Sequence, residues 1–451
     1  VSDATEKDGP SQAGKDFVMD LPILVLVVSF VVLLILNVPV AFCMGISTVL
    51  ACLTIGDMPA FVAAAHKIAT GIDSFALLAI PFFILSGQLM GRGGIARRLI
   101  DFANVLVGRF RGGLAFVNVL TCMLFGAISG SASAAVSSVG GFMIPLMNKM
   151  GYDKDFNAAV TITAATTGLL IPPSNVMIVY SLATGGIVSI AAIFMAGFLP
   201  GILVGLGLIL VSGYVSVKHN YGKGETFTLG QGVIRFFSAI PALLLVFIVI
   251  GGILMGWFTP TEASAVAVLY SLLLAMAVYR EVKVRDLPKI LLQCGVTTSV
   301  VFLLIGTSMA MSWVLASENV PQDISASLLS ITDNKILLLL MINAILLVVG
   351  TFMDMTPAVL VFTPIFLPIV TNLGLHPLHF GIILIMNLCI GLCTPPVGTC
   401  LFLGCGIAET SVTRVIRHIL PFFVVMVITL LICTFIPLIS MWIPSVFGFI
   451  K

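Results

Sequence analysis

Apolar stretches of sixteen residues or more recur along nearly the whole chain, at 21–36, 40–55, 75–90, 198–217, 240–258, 263–278, 297–315 and 419–443. A helix needs about 20 such residues to cross the hydrocarbon core, so each stretch reads as a membrane crossing. Charged residues make up only 9% of the 451, against roughly 25% in soluble domains, and this composition belongs in lipid. The fold class expected is an all-α polytopic membrane protein. A net charge of +2, with basic residues spread along the chain, excludes a nucleic-acid partner. The polar segment 1–16, carrying Asp3, Glu6, Lys7, Asp8, Lys15 and Asp16, has no apolar core or cleavage site and reads as a solvated tail rather than a signal peptide. The nine cysteines are scattered, and Cys389 and Cys393 stand one residue wider than a redox pair, so they read as small packing residues.

Four segments do not fit simple crossings. Two, 156–182 and 378–403, are interrupted by prolines; two others, 113–150 and 335–373, are too long for one crossing and too broken for a pair. The latter carry small or polar residues at their middles: Ser129, Gly130, Ser131 and Ser133 in one, Gly350, Thr351, Asp354 and Thr356 in the other. Both read as re-entrant helical hairpins, because irregular backbone at membrane depth survives only where protein or a wet cavity satisfies it. Threading the chain this way puts sixteen Lys and Arg on one side, from Arg92, Arg97, Arg98, Arg109 and Arg111 through Lys149, Lys154, Lys218, Lys223, Arg235, Arg280, Lys283, Arg285 and Lys289 to Arg414 and Arg417. Only Lys7, Lys15, Lys67, Lys335 and Lys451 fall on the other. Cytoplasmic loops are the basic ones. The expected placement is therefore a bacterial inner membrane with both termini periplasmic, the first hairpin entering from the cytoplasm and the second from the periplasm.

An ungapped shift of 223 lays Pro145 on Pro368, Gly151 on Gly374, Gly168 on Gly391, Pro172 on Pro395 and Pro173 on Pro396. With the threading above, the two copies have opposite orientations, an inverted repeat of the kind that secondary transporters use. The expected division is a polar tail over 1–19; a first repeat over 20–185, with its hairpin at 113–150 and broken helix at 156–182; and a connecting helix and cytoplasmic loop over 186–234. A second repeat over 235–408, with its hairpin at 335–373 and broken helix at 378–403, and a terminal helix over 409–451 complete it.

The breaks are where chemistry can reside. In Gly168-Leu-Leu-Ile-Pro-Pro-Ser-Asn175 two successive prolines lack N–H groups and free several carbonyls, which a hard cation such as sodium would accept as oxygen ligands. A kink packed between helices explains one such break equally well; its repetition at Gly391-Leu-Cys-Thr-Pro-Pro-Val-Gly398 favours function. Ser129, Ser131 and Ser133 offer hydroxyls at the first tip, whereas Ser137 and Ser138 read as packing residues. Asp354 is the one carboxylate well inside a membrane segment, where a charge costs roughly 2.5 to 3.5 kcal/mol and needs a partner. Sodium, a proton, or the N-terminus of the helix it would cap all qualify. With no Lys or Arg expected near mid-membrane, an anionic substrate would be held by half-helix N-termini, Ser, Thr and Asn175, with sodium supplying positive charge.

Elsewhere, 93–110 carries Ile95, Leu99, Ile100, Phe102, Ala103, Leu106 and Val107 on an approximately helical period with arginines between them, and reads as an interfacial helix on the cytoplasmic surface. Glu262 in Thr259-Pro-Thr-Glu reads as a helix cap, with partner docking as a lesser option. The histidines show no metal spacing, and HExxH, GxxxxGK[ST] and GxSxG are all missing, so no zinc protease, ATPase or serine hydrolase is indicated. An intramembrane enzyme lacks its constellation of groups, and the chain is expected not to be an enzyme. A non-transporting scaffold would not need paired helix breaks.

Ile80-Pro-Phe-Phe-Ile-Leu-Ser-Gly87, Ile128-Ser-Gly-Ser-Ala-Ser133, Ile171-Pro-Pro-Ser-Asn175, Gly350-Thr-Phe-Met-Asp-Met-Thr-Pro357 and Thr394-Pro-Pro-Val-Gly398, in this order, resemble the large membrane subunit of tripartite ATP-independent periplasmic (TRAP) transporters, over about 21–449. The resemblance implies sodium-coupled import of organic acids such as sialic acids or dicarboxylates by an elevator motion, in which a transport domain of hairpins and broken helices slides against a scaffold. It implies two partners besides the lipid bilayer: a small four-helix membrane subunit and a periplasmic substrate-binding protein. Carried over, one sodium site falls on Ser129, Ser131, Gly168, Pro172, Pro173, Ser174 and Asn175, and a second on Gly350, Asp354, Thr356, Gly391, Thr394, Pro395, Pro396 and Gly398. Ser133, Asn175, Thr356 and Thr399 are the residues expected to touch substrate. No cofactor is expected beyond the coupling ions, and proton coupling through Asp354 is the rival mechanism.

Overall fold

A computed structural model describes residues 20–450 apart from 37, 57, 223–228 and 333. The polar tail over 1–19, Lys223 and Lys451 lie outside the described residues. The chain begins with α1 (Leu21–Ile35), α2 (Val40–Ile55), α3 (Met58–Gly71), α4 (Ala79–Arg92) and α5 (Ile95–Val107). A helical hairpin follows, α6 (Gly113–Ser129) and α7 (Ala132–Lys149), and then a helix in two pieces, α8 (Lys154–Thr167) and α9 (Asn175–Ala183). Next come α10 (Ile190–Lys218), α11 (Leu229–Leu254), α12 (Pro260–Leu273), α13 (Leu287–Ser317) and α14 (Val320–Ile331). A second hairpin, α15 (Lys335–Phe352) and α16 (Met355–Asn372), precedes a second split helix, α17 (Pro377–Gly391) and α18 (Thr399–Ile407). The described chain closes with α19 (Val412–Phe435) and α20 (Leu438–Val446).

The chain turns back on itself between α6 and α7 and between α15 and α16, and its helices break between α8 and α9 and between α17 and α18. Among the described residues eight helices are long and apolar enough to cross a membrane, and many of their large apolar side chains are exposed, Leu210, Phe247 and Leu292 among them. Lipid supplies the missing neighbours for such a surface. Each turn has a local cause. Gly130 closes α6 with φ 61°, a left-handed conformation costly for other residues, and Ser131 caps α7 by accepting from Ala134 N at 3.3 Å. At the second tip Asp354 Oδ1 accepts from Met355 N at 2.9 Å and starts α16. Glu262 forms a reciprocal capping box with Thr259 at the start of α12, as its spacing suggests.

The two hairpins point at each other from opposite ends of the molecule. Asp153, beside the root of the first hairpin, pairs with His418 in the first turns of α19 at 3.7 Å. Thr434, near the last residue of the same helix, receives Asn343 of α15 at 3.3 Å and touches His379 at the start of α17 at 3.3 Å. Sixteen residues of α19 separate His418 from Thr434, about 24 Å along its axis, so the first hairpin's root and the middle of α15 are held near opposite ends of this helix. The ion pairs Arg98–Glu281 at 3.9 Å and Arg235–Asp101 at 3.2 Å join loops that the charge asymmetry assigns to one face. Tyr180 donates to Pro377 O at 2.6 Å, joining two segments assigned to the opposite face.

Three expectations need correction. The terminal crossing is not one run over 419–443: α19 starts at Val412 and stops at Phe435, because Pro437 pushes Ile436 out of the helical region to φ −118°, ψ 82°, and α20 is separate. Helices α10, α11 and α13 begin eight to eleven residues before their apolar runs, since hydropathy marks only the part of a helix that lipid surrounds. The amphipathic helices α3 and α14 were not anticipated, although the shift of 223 maps α5, which lies inside the interfacial segment 93–110, onto α14.

Candidate functional site

Each hairpin is held to the broken helix of its own repeat by bare backbone. Gly126 of α6 lies against Gly168 at the first break: a Cβ on Gly126 would stand 2.6 Å from Gly168 Cα. At the second break Gly350 lies against Gly391, and a Cβ on Gly391 would run into the Gly350 carbonyl. Only glycine allows this approach. Below the contacts, polar clamps hold the same pairs: Asn118 donates to Thr161 Oγ1 at 2.6 Å in the first repeat, and Asn387 donates to Asn343 Oδ1 at 2.6 Å in the second.

The first break is sealed. Pro172, Pro173 and Ser174 are buried, Gly130 of the tip packs against the Asn175 carboxamide, and Ser129 Oγ donates to Ser131 O at 3.4 Å. Ser174 Oγ and Asn175 Oδ1 are buried without a hydrogen-bond partner. Orphaned buried oxygens are costly in a protein interior. Two of them beside a half-helix end make a donor set suited to a hard cation, which takes oxygen ligands.

The second break is open. Pro395, Pro396 and Val397 are exposed, and Val397 N donates to Thr351 O of the hairpin at 3.1 Å. Gly398 sits among carbonyls, so that a Cβ there would stand 2.7 Å from Thr394 O and 3.0 Å from Leu392 O. Thr394 Oγ1 donates within its own helix, to Ile390 O at 2.8 Å. Asp354 spends one oxygen on the Met355 N–H, which is the capping role, and is exposed to the neighbouring cavity.

That cavity, of about 780 Å³, lies where the two tips meet. Ser129, Ser131, Ser133, Asn175, Asp354, Thr356 and Thr399 line it, so all four residues expected at the substrate share one space. Gly168, Pro172, Pro173, Ser174, Gly350, Gly391, Thr394, Pro395, Pro396 and Gly398 are not on its wall but behind it, in the two breaks and the glycine contacts. The opposite wall is built by α4 and α13 and was not anticipated; it presents Gln88, Arg92, Gln293 and Thr297. No local periodicity marks these residues, because the two helices meet across some 200 positions of sequence. The motif 80–87 does end at the contact: a Cβ on Gly87 would lie 2.6 Å from Ser129 O. Ser137 and Ser138, expected to be packing residues, also reach the cavity.

Two copies of a hairpin and a split helix, pointed tip to tip at a polar cavity inside an apolar helical bundle, define a polytopic membrane protein of the secondary-transporter class. The likeness to known proteins narrows this. Residues 27–439 match the family model described as Tripartite ATP-independent periplasmic transporter, DctM component, and the chain belongs to that family as a large membrane subunit, a permease and not an enzyme. It is 50% identical over 434 residues to the uncharacterized protein YgiK of Salmonella typhimurium, covering 96% of this chain and 99% of the relative. It is 42% identical over 376 residues to the C4-dicarboxylate TRAP transporter large permease protein DctM of Pseudomonas aeruginosa, covering 83% and 88%. Among solved structures the fold is similar to the YdaH transporter of Alcanivorax borkumensis, with TM-score 0.60 and 13% identity over 93% of this chain and 98% of that one.

Proposed function

We propose that this chain imports a C4-dicarboxylate or related organic acid across a bacterial inner membrane by sodium coupling, together with a small four-helix membrane subunit and a periplasmic binding protein that delivers the substrate. Of the two acid classes expected, sialic acids and dicarboxylates, the second is the one for which a 42%-identical relative is named. The observation that carries the reading is the layering at the tips: hydroxyls and one carboxylate face the cavity, while oxygen-rich breaks lie directly behind them. In this reading Ser129, Ser131 and Gly168 with Pro172 to Asn175 hold one sodium. Gly350, Asp354, Thr356 and Gly391 with Thr394 to Gly398 hold the other, and Ser133, Asn175, Thr356 and Thr399 hold the anion. Cation and anion then bind interdependently, because each offsets the other's charge in a low-dielectric site. Each net positive charge carried inward gains about 2.3 kcal/mol per 100 mV. The hairpins and split helices, fixed together by their glycine contacts, would slide as one body past α4 and α13.

Proton coupling has one observation in its favour: the second oxygen of Asp354 has no recorded partner on the cavity wall. Reconstitution with both companion subunits decides between the ions. Labelled succinate uptake should follow a sodium gradient at fixed pH and be lost in Asp354→Ala with membrane insertion unchanged. Uptake driven by a pH gradient alone, or normal uptake by the variant, would overturn the sodium reading.

A further inference from the structure

The cavity does not end at the hairpin tips. It continues along α4 from Gly87, which touches Ser129, past Gln88 and Gly91 to Arg92, and along α13 to Thr297 and Gln293. Five residues of helix separate Gly87 from Arg92, so Arg92 stands about 7 to 8 Å beyond the tip, towards the hairpin root. Ser138 marks the same level on α7, its Oγ 3.7 Å from where a Gly91 Cβ would be. Among the residues lining the cavity Arg92 is the sole cation and Asp354 the sole carboxylate. Arg92 Nη2 donates to Gln293 Oε1, and none of the ion pairs recorded for the described residues engages its guanidinium. One turn back, the Gln88 carboxamide oxygen is buried with no hydrogen-bond partner, and turned end for end this amide offers N–H.

We infer that Arg92, with Gln88 and Gln293 beside it, forms a second anion station, which receives the substrate's carboxylate as it leaves the hairpin tips for the cytoplasm. A guanidinium matches a carboxylate in shape and charge, and Arg92 and Gln293 are exposed on the cavity wall, where a departing anion can reach them. The neutral partner Gln293 is easily displaced, since it holds the guanidinium in place without cancelling its charge. The station belongs to the wall made by α4 and α13, whereas the first site belongs to the hairpins. In the sliding reading above, hairpins that moved along α4 and α13 would carry the first site away from it. Arg92 thus binds the substrate on release and takes no part in delivery from the periplasm. An arginine in the last turn of a helix also complements the helix dipole, but that role does not depend on what crosses the cavity.

This inference rests on the importer reading above, and the experiment separates the two. Proteoliposomes carrying the complete transporter are given labelled succinate and binding protein outside, a sodium gradient, and graded unlabelled succinate in the lumen. Luminal succinate should slow wild-type uptake by occupying the station. Arg92→Gln should need about tenfold more luminal succinate for the same inhibition, and Arg92→Lys should recover most of the difference. Equal luminal inhibition in wild type and Arg92→Gln, or a Lys variant no better than the Gln variant, overturns the station while leaving the importer intact. A wild-type complex that takes up no dicarboxylate overturns the importer reading itself.

Discussion

Four glycines set the geometry on which the site depends, and they are not equivalent. A methyl on Gly391 would meet the Gly350 carbonyl, whereas a methyl on Gly350 would stand 3.2 Å from Gly391 Cα and 3.4 Å from Leu388. Backbone cannot step aside as a flexible side chain can, so Gly391→Ala should destabilise the purified complex by about 1 to 3 kcal/mol, as overpacking does. Gly350→Ala should cost clearly less. Thermal unfolding in detergent, with the two variants side by side, checks the order; equal midpoints would mean that the contact is looser than described. The positions of Gly168 and Gly391 were legible in the sequence because a proline pair follows each one at a fixed interval. Their partners were less so: Gly350 could be picked from the polar middle of its hairpin, but Gly126 sits in an unremarkable apolar run. Nothing local announces that a glycine faces another glycine forty residues away.

The two breaks share a sequence pattern but differ in surroundings. The first is closed over by the tip of α6 and α7, with Ser174 buried; the second presents Pro395, Pro396 and Val397 on the surface. Cysteines introduced at the two places should report this: Val397→Cys should react readily with a small maleimide in membranes, and Ser174→Cys should react at least tenfold more slowly. Similar rates would show that the first break opens as freely as the second. A period-223 comparison cannot supply this difference, since it registers what the copies share. The same limit explains α14, whose counterpart α5 was readable from Arg97 and Arg98 set among apolar residues at helical spacing, while α14 itself has only Asp323 for a charge. It also explains the wall of α4 and α13, where Gln88, Arg92, Gln293 and Thr297 become neighbours only after two distant crossings have packed together.

For the molecule in its membrane, the arrangement of ion pairs gives a direct test of orientation. Arg98, Asp101, Arg235 and Glu281 interlock on one face, with Asp153 and His418 at the same end, while Tyr180, Pro377 and Ser440 gather at the other. If basic loops stay in the cytoplasm, single cysteines near Lys283 should be shielded from an impermeant thiol reagent in intact cells, and cysteines at Gly185 should be labelled. The reverse pattern would invert the molecule and place its Arg92 end outside. The expected orientation rests on sixteen cations against five, a property of the whole chain that survives errors of several residues at every helix end.

Helix α19 has a consequence of its own. It is fastened near its start, through His418, to Asp153 beside the root of one hairpin, and near its finish, through Thr434, to Asn343 halfway along the first arm of the other. It therefore works as a gauge rod between the two hairpins, setting how far the root of the first stands from the middle of the second, and thereby how the opposed tips are spaced. Adding one turn would lengthen the rod by about 5.4 Å and shift Ser131 relative to Asp354 without altering a single residue of the chamber they share.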